Sequence, residues 1–138
     1  EVGDPSVTRI LKHLNPSFQY QIHKAFQKDS LDITVKDRAF LVNLIQEMDS
    51  KAIIITHGTD TMCETAEHLM GVEGKTIVIT GALSPARFRV TDAVFNLGLA
   101  MGAVQSMPAG VYIAMSGEIF TAGNVRKNRK AGRFEKIS

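Results

Sequence analysis

An α/β fold is predicted for this chain: a three-layer sandwich in which helices cover both faces of a mainly parallel sheet. Ala52–Ile55 is an unbroken apolar run, which favours a parallel strand covered on both faces. Thr76–Thr80 is a second run, and its β-branched residues favour another strand. Helical patterns separate these runs, and this alternation is typical of right-handed βα units. A further short strand is expected over Val111–Met115.

The N-terminal part of the chain is predicted to hold one helix and one edge strand. Asp4-Pro5, a capping side chain followed by proline, opens the helix, and Asn15-Pro16 ends it. The apolar residues of the helix recur at spacings of three and four, which puts them on one face: Val7, Ile10, Leu11 and Leu14. Residues 18–22 then alternate between apolar and polar side chains, which predicts a strand near an edge of the sheet.

Three further helices are expected. Thr34 begins the first of them, and Asp37 can complete a capping box with it. The buried stripe of this helix is predicted to be apolar: Phe40, Leu41, Leu44, Ile45 and Met48. The next helix follows the first strand, and Ser84-Pro85 makes a turn before the last helix, which Thr91 is expected to cap. Most apolar residues of that last helix are predicted to be buried: Val94, Phe95, Leu97, Leu99 and Met101.

Composition limits the class of protein. With 138 residues, 44% of them hydrophobic and 22% charged, the chain can build one compact domain with a core, but not two. No run approaches the roughly 18 apolar residues of a membrane span, and no charged-then-apolar leader is visible. We therefore expect a soluble single domain over residues 1–138, with no membrane partner.

Net charge and cysteine content indicate which partners and which cell compartment the sequence favours. A formal net charge of +2 is too small to imply a polyanionic partner. The basic stretch from Arg126 to Arg133 lacks interleaved aromatic residues, so we interpret it as a solvated loop rather than a nucleic-acid site. Cys63 is the only cysteine, which excludes an internal disulfide and favours a reducing, cytoplasmic setting. We interpret it as a helix-packing thiol, because no histidine pattern around it suggests activation.

The strongest candidate site follows the strand Ala52–Ile55. Residues 56–62 read Thr-His-Gly-Thr-Asp-Thr-Met, which groups hydroxyl, imidazole and carboxylate side chains around Gly58 before a helical pattern. Ligands bind at the carboxyl ends of strands in α/β sheets, and the N–H groups of a following helix attract anions. From the residues alone, Thr59 could equally be a helix cap and Asp60 a favourable charge in the first helical turn.

Two other segments should face the same crevice because they also follow predicted strands. Asp29-Ser30 comes after the strand at residues 18–22, although on its own this pair is better explained as a capping turn. Gly81 follows Thr76–Thr80 and permits close backbone approach where a side chain would block a ligand. The crevice is therefore predicted where several strands end.

The motif at residues 56–62 resembles the second signature of the bacterial-type L-asparaginases, amidohydrolases that release ammonia from asparagine. Four other segments fit the same family in the same order: Lys28–Ser30, Thr80–Pro85, Thr91–Leu97 and Val125–Asn128. The resemblance covers nearly the whole chain and corresponds to the family's N-terminal domain, a flavodoxin- or Rossmann-like unit, without the smaller C-terminal domain. It implies conversion of asparagine to aspartate and ammonia, without a metal or other cofactor.

The resemblance implies three catalytic residues. Thr59 would lie beside the attacked carbonyl, where it would help to position the nucleophile and stabilise the oxyanion. Lys127 occupies the position of the family's catalytic lysine and would handle protons. Asp60 would bind the ammonium group of the substrate while orienting the lysine. A cluster of threonine, lysine and aspartate is a sensible unit for activating a hydroxyl group.

Substrate-binding residues are implied in the same way. Ser30 matches a serine that contacts the substrate carboxylate, and Ala82 matches an alanine whose carbonyl meets the substrate amide. Gly58 lies between the two signature threonines and is included in the binding site. Leu31 stands where some family members carry a polar side chain, so the choice of amide substrate stays open.

The family's first signature is a strand ending in Thr-Gly-Gly-Thr, whose second threonine is assigned as the primary nucleophile, and it is absent from this sequence. We therefore expect the chain to be incomplete at its N-terminus. Two hypotheses stay open: an asparaginase-type hydrolase whose nucleophile lies outside residues 1–138, and a non-catalytic amino-acid-binding domain. A sheet without its family's first strand would leave an edge for another subunit, so a homo-oligomer is expected, most simply a dimer.

Overall fold

The computed structural model describes residues 5–84 and 91–138. Helices and parallel strands alternate in the order α1 (Pro5–Leu14), α2 (Val35–Glu47), β1 (Ala52–Thr56), α3 (Met62–Leu69), β2 (Thr76–Thr80), α4 (Ala93–Ser106) and β3 (Gly110–Met115). Three short strands follow: β4 (Glu118–Thr121), β5 (Arg126–Asn128) and β6 (Arg133–Glu135). A single 3-10 turn, Ser30–Asp32, precedes α2. Within the described ranges, no helix has the length and apolar character needed to cross a membrane.

The first four strands form one sheet in the order β1-β2-β3-β4. Strands β1, β2 and β3 run parallel, and β4 returns antiparallel beside β3. Each residue of 52–56 pairs with its counterpart in 76–80, so the loops after β1 and β2 begin side by side at the same edge. The predicted α/β fold with a mainly parallel sheet is confirmed.

Helices cover both faces of the sheet, because alternate residues of each strand point to opposite sides. On one face, α2 and α3 pack in a cluster that includes Ile77 and Ile113. On the other face, α4 packs its alanines against Val78 and Tyr112, while α1 packs against Leu97 of α4. Burial on both faces accounts for the nearly continuous apolar sequences of the central strands.

The start of α2 is fixed by the predicted capping box. Thr34 Oγ1 accepts a hydrogen bond from the Asp37 N–H at 3.1 Å, and the Asp37 carboxylate accepts one from the Thr34 N–H at 2.9 Å. The predicted buried stripe is wrong at Phe40, which is 52% exposed. Arg38 is buried instead, on the same helical face as Leu41 three residues later.

The first helix matches its predicted bounds. It begins at Pro5 and ends at Leu14, directly before Asn15-Pro16, whereas the predicted capping residue Asp4 lies outside the described residues. Of the four apolar residues predicted to share one face, Val7 and Leu11 are buried, whereas Leu14 at the end of the helix is exposed. Proline two residues after the last helical position accounts for the end of the helix, because it cannot continue the hydrogen-bonding pattern.

The start of α4 lies one residue later than predicted. Asp92, rather than Thr91, occupies the N-cap, and Thr91 Oγ1 accepts a hydrogen bond from the Ala93 N–H at 3.2 Å. The Thr91 hydroxyl also donates to the Ser84 carbonyl at 2.9 Å. The predicted turn at Ser84-Pro85 falls partly outside the described residues.

The buried face of α4 also differs from the prediction. Val94 and Phe95 are exposed, whereas Ala100 and Ala103 are fully buried against the sheet. Apolar residues occur on every side of this helix, so periodicity could not identify the buried face. Small residues pack against the sheet because they allow the helix to approach it closely, and Leu97 contacts α1 beside them.

Residues 18–22 do not form a strand, contrary to the prediction. They lie beside β1, an end strand that pairs with β2 alone among the described strands. Both segments line a cavity of about 280 Å³, which has mainly apolar walls. An alternating sequence needs a hydrogen-bonding partner to become a strand. Here Phe18 and Tyr20 contact each other edge to face instead, with ring centroids 6.3 Å apart.

The basic C-terminal stretch is a β-hairpin rather than the predicted solvated loop. Strands β5 and β6 pair antiparallel, and Phe134 of β6 is buried in the main core. The Glu135 carboxylate accepts hydrogen bonds from Arg126 Nε at 3.1 Å and from Asn128 Nδ2 at 2.8 Å. These hydrogen bonds hold β5 to β6. The buried Phe134 fixes the hairpin, and with it Lys127, against the body of the domain.

Candidate active site

The loops after β1 and β2 meet at the carboxyl edge of the sheet, and two glycines make their contact possible. A Cβ atom on Gly58 would lie 2.8 Å from the Ser30 Cβ, and one on Gly81 would lie 2.2 Å from the His57 carbonyl oxygen. Both separations are too short for nonbonded atoms, so only glycine permits this approach. Three predicted segments of the crevice are therefore in contact.

Ser30 lies where the crevice prediction expects it. Thr61 Oγ1 donates a hydrogen bond to the Ser30 carbonyl at 2.6 Å, and Ser30 is 3% exposed. The alternative interpretation, a capping turn, also describes the segment, because the Asp29 carboxylate accepts a hydrogen bond from the Leu31 N–H at 3.0 Å. The turn thus presents Ser30 to the loop after β1.

Lys127 joins Thr59 and Asp60 into one cluster. Its Nζ donates to Thr59 Oγ1 at 2.7 Å and to Asp60 Oδ1 at 2.9 Å, although 68 residues separate Lys127 from Thr59 in sequence. Arg129 Nη2 lies 3.3 Å from the same Asp60 oxygen. The register of the hairpin pairs Lys127 with the buried Phe134, which anchors the lysine at this place.

The charges of this cluster set its protonation. The pKa of Asp60 is lowered, mainly by the hydrogen bond from Lys127. Burial raises this pKa, and the charges of Lys127 and Arg129 lower it. Asp60 is therefore ionised at neutral pH. Because Lys127 donates to the Thr59 oxygen, the hydroxyl hydrogen of Thr59 must point away from the ammonium group. The arrangement can orient a hydroxyl group and exchange a proton with it.

Cys63 is unsuited to nucleophilic chemistry. Burial is the main cause that raises the pKa of its thiol to about 11, and Glu64 and Glu67 raise it further. The thiol is therefore protonated at neutral pH and packs at the edge of the main core, which agrees with the predicted packing role. Within residues 5–84 and 91–138, no group of three or more His, Cys, Asp or Glu side chains is placed to hold a metal ion.

The loop after β2, which contains Ala82, is held by the start of α4. The Asp92 carboxylate accepts hydrogen bonds from two backbone amides of this loop, at 2.9 and 3.0 Å. Asn96 Nδ2 donates to the Gly81 carbonyl at 2.8 Å and to Asp92 at 2.8 Å. Asn96 is almost fully buried, so its side chain serves these two hydrogen bonds within the protein interior. Asp92 was not predicted, although its spacing of four from Asn96 places both on one helical face.

A second polar cluster lies beneath the loop after β1, and the sequence analysis missed it. Arg38 Nε donates to Thr65 Oγ1 at 2.9 Å, and the same oxygen lies 2.8 Å from His57 Nε2. All three residues are buried. One signal was available: Arg38 shares a helical face with Leu41 and Ile45, where an arginine is unusual unless it has buried partners.

Comparison with known proteins assigns a family. A family model described as "Asparaginase, N-terminal" matches residues 3–135. The chain belongs to the asparaginase family. It is 35% identical over 113 residues to the glutaminase-asparaginase of Acinetobacter glutaminasificans, a match that covers 75% of this chain and 34% of that protein. It is 36% identical over 112 residues to a probable periplasmic L-asparaginase of Haemophilus influenzae, covering 78% and 32% of the two chains.

A solved structure of the asparaginase family has the same fold. The probable cytoplasmic L-asparaginase from Campylobacter jejuni matches with a TM-score of 0.85 and 25% sequence identity, over 94% of this chain and 44% of that one. The chain thus spans about a third of the length of the curated relatives named above. The range matched by the family model, residues 3–135, contains Thr59, Asp60 and Lys127.

Proposed function

We propose that this chain is the N-terminal domain of an amidohydrolase that converts asparagine to aspartate and ammonia. The observation that carries the proposal is the contact of Lys127 Nζ with both Thr59 Oγ1 and Asp60 Oδ1. A threonine hydroxyl group is a weak nucleophile unless a neighbouring group orients it and takes its proton. Here Lys127 and Asp60 orient the hydroxyl group, and Lys127 would take the proton in its neutral amine form. Membership of the asparaginase family supports the choice of substrate.

Each of the three clustered side chains would have a separate role in catalysis. Thr59 would lie beside the attacked carbonyl and help to stabilise the oxyanion, while Lys127 would pass protons during attack and release. Asp60 would bind the substrate ammonium group and orient Lys127. The contact of Asp60 with Arg129 supports this assignment, because the carboxylate is ionised and already attracts cations at the mouth of the site.

The substrate would be held by the loops around this cluster. We assign its carboxylate to Ser30 and its side-chain amide to the Ala82 carbonyl, with Gly58 allowing the Ser30 turn to approach the loop after β1. The close contact of Ser30 with Gly58 supports the first assignment. The hydrogen bonds from the Asp92 and Asn96 side chains to the loop after β2 support the second, since they fix the backbone around Ala82.

A threonine is the proposed nucleophile. Its oxygen would bond to the side-chain amide carbon of asparagine while its hydroxyl proton passes through Lys127 to the amide nitrogen. The carbon–nitrogen bond would then break and release ammonia. Water would then cleave the ester and release aspartate and the threonine. The attacking residue is either Thr59 or a threonine of a Thr-Gly-Gly-Thr segment outside residues 1–138, because the sequence contains no Gly-Gly-Thr.

Ammonia release from asparagine tests the proposal. We expect the complete gene product to release ammonia, and residues 1–138 alone to bind asparagine or aspartate weakly with almost no turnover. Full activity of residues 1–138 would instead make Thr59 the nucleophile. No ammonia from the complete product, with retained amino-acid binding, would contradict the hydrolase and favour the non-catalytic binding domain.

We also propose a homo-oligomer, with a dimer as the simplest form. The supporting observation is that β1, a strongly apolar strand, ends the sheet beside an apolar cavity of about 280 Å³. The exposed edge of an apolar strand is usually covered by another element of the chain or by another subunit. Light scattering at micromolar concentration tests this proposal: a mass of two or more chains is expected, and a stable monomer would remove it.

The proposed compartment is the cytoplasm. One relative is named cytoplasmic and another periplasmic, so the family alone does not decide between them. The single cysteine, Cys63, fits a reducing compartment because it needs no disulfide partner within the chain. Fractionation of cells should recover the protein with cytoplasmic markers, and recovery with periplasmic markers would contradict the assignment.

A further inference from the structure

Three buried side chains form a continuous line of hydrogen bonds beneath the crevice, and we call Arg38, Thr65 and His57 the His57 network. Arg38 Nε lies 2.9 Å from Thr65 Oγ1, which lies 2.8 Å from His57 Nε2. The other ring nitrogen, Nδ1, lies 2.6 Å from the Gly58 carbonyl oxygen. The three side chains are 7%, 1% and 8% exposed in the same order, so the line is enclosed in protein.

The chemistry of the partners fixes the hydrogen bond to Gly58, and for a neutral His57 ring it fixes the direction of the others. A carbonyl oxygen only accepts, so His57 Nδ1 must carry the hydrogen and donate it to Gly58. In a neutral imidazole, Nε2 is then an acceptor, and the Thr65 hydroxyl donates to it. The Thr65 oxygen in turn accepts from Arg38. With a neutral ring, every bond in the network therefore has one donor and one acceptor when His57 carries its hydrogen at Nδ1.

The surroundings of His57 favour this neutral form. The pKa of His57 is lowered, mainly by burial. The hydrogen bond to the Gly58 carbonyl raises this pKa, and the charge of Arg38 lowers it. A proton added at Nε2 would reverse the bond to Thr65, whose oxygen would then accept from both His57 and the charged Arg38. The geometry and the charges thus agree on one protonation state.

This network controls the orientation of one peptide bond in the site. The carbonyl of Gly58 and the N–H of Thr59 belong to the same planar trans peptide, so they point in opposite directions. Because the carbonyl is hydrogen-bonded to the buried ring of His57, the N–H points away from that ring.

We propose that the His57 network positions the Thr59 N–H as a hydrogen-bond donor towards the oxygen that gains charge during amide hydrolysis. The inference rests on the proposed function and adds positioning residues to it. A preorganised backbone donor of this kind stabilises the transition state without reorganisation at the moment of reaction. The network also reaches the other wall of the crevice, because Arg38 Nη1 donates to the Ile33 carbonyl at 3.3 Å, just after the Ser30 turn.

Matched substitutions at Thr65 separate the hydroxyl group from the shape of the side chain. Thr65→Val keeps the branched shape and loses the donor to His57, whereas Thr65→Ser keeps the donor. In the complete gene product, we expect Thr65→Val to lower kcat at least about tenfold with little change in KM, since the N–H acts mainly in the transition state. Thr65→Ser should recover most of the rate. Equal rates for Thr65→Val and the unchanged protein would overturn the inference.

Imidazole ¹⁵N spectra provide a readout that does not depend on activity. We expect His57, assigned by its loss in His57→Asn, to show the neutral form protonated at Nδ1 at neutral pH. A ring protonated at Nε2, or a charged ring, would overturn the inference. If Thr65→Val fails to fold, this spectrum and the activity of Thr65→Ser decide the question.

The two proposals can fail separately. An inactive complete gene product whose spectrum shows the Nδ1 form would overturn the proposed reaction while supporting the network and its fixed peptide. An active enzyme whose His57 is protonated at Nε2 would leave the proposed function in place and overturn the network.

Discussion

At the scale of single residues, the ammonium group of Lys127 connects the hairpin to the loop after β1. Lys127 Nζ contacts Thr59 and Asp60 within 3 Å, and it reaches them from a hairpin near the other end of the chain. The Lys127–Asp60 pair is partly buried, with side chains 18% and 30% exposed, and its contact with the Thr59 hydroxyl group fits a role in positioning chemistry. The ionised Asp60 keeps the ammonium group beside the Thr59 oxygen.

Replacement of Thr59 tests the proposed oxyanion role. We expect Thr59→Ala to lower ammonia release by the complete gene product at least about tenfold, because losing one preorganised stabilising group costs about 10² to 10³ in rate. Thr121→Ala, at an exposed position on β4, is the matched control and should keep the full rate. Equal rates for the two variants would contradict the role of Thr59.

The residues of the site differed in how far the sequence could predict them. Thr59, Asp60 and Lys127 were predicted through their resemblance to a family, and the structure brings them together. Arg38 and Thr65 were not predicted, because whether a polar side chain is buried and paired depends on contacts between α2 and α3. Spacing along one helix reports which face a residue occupies, but not which polar group it meets on the next helix.

At the scale of elements, the sequence predicted those whose signal is local. Strands β1 and β2 are continuous apolar runs, and α2 carries its own capping box. Residues 18–22 have the alternation of a strand, but a strand also needs a partner, and none of the described strands pairs with them. The β5–β6 hairpin was missed because its strands are three residues long and mostly polar.

The capping box of α2 makes a testable contribution to stability. We expect Thr34→Ala to lower the free energy of unfolding by about 1 kcal/mol, because it removes the side-chain acceptor for the Asp37 N–H. Chemical denaturation of both proteins measures this difference. Lys36→Ala, exposed in the same helical turn, is the control and should change stability much less. A loss as large in the control would contradict the capping account.

At the scale of the whole molecule, the parallel sheet brings distant segments to one edge. Strands β1 and β2 end side by side, so their loops touch, and the hairpin after β4 returns Lys127 to the same edge. This placement follows from the topology of the sheet, which the alternation of helices and strands predicts. The side-chain contacts within the crevice follow from packing, which no local pattern encodes.

The buried His57 predicts how the stability of the molecule depends on pH. Its pKa in the folded protein lies below the ordinary value of 6.5, so below that pH the unfolded chain binds a proton that the folded protein does not. We expect the free energy of unfolding to fall as pH decreases from about 7.5 to about 5.5, by at most about 1.4 kcal/mol per pH unit for one proton. Denaturant titrations at several pH values measure this slope.

The substitution His57→Asn should flatten this slope, whereas His13→Gln, on the exposed side of α1, should leave it unchanged. Asp37, Asp60 and Glu135 also have lowered pKa values. The stability they contribute is present above their ordinary values and is lost only at more acidic pH, near 4 and below. An unchanged slope in His57→Asn would contradict the assignment to His57.

The most direct test of the central claim is ammonia release by Lys127→Met in the complete gene product. Methionine is close to lysine in length but has no ammonium group, so it removes both hydrogen bonds to Thr59 and Asp60. We expect the rate to fall at least about tenfold while the unfolding midpoint stays close to that of the unchanged protein. Lys130→Met, exposed in the turn of the same hairpin, should keep the full rate. A fully active Lys127→Met enzyme would contradict the account.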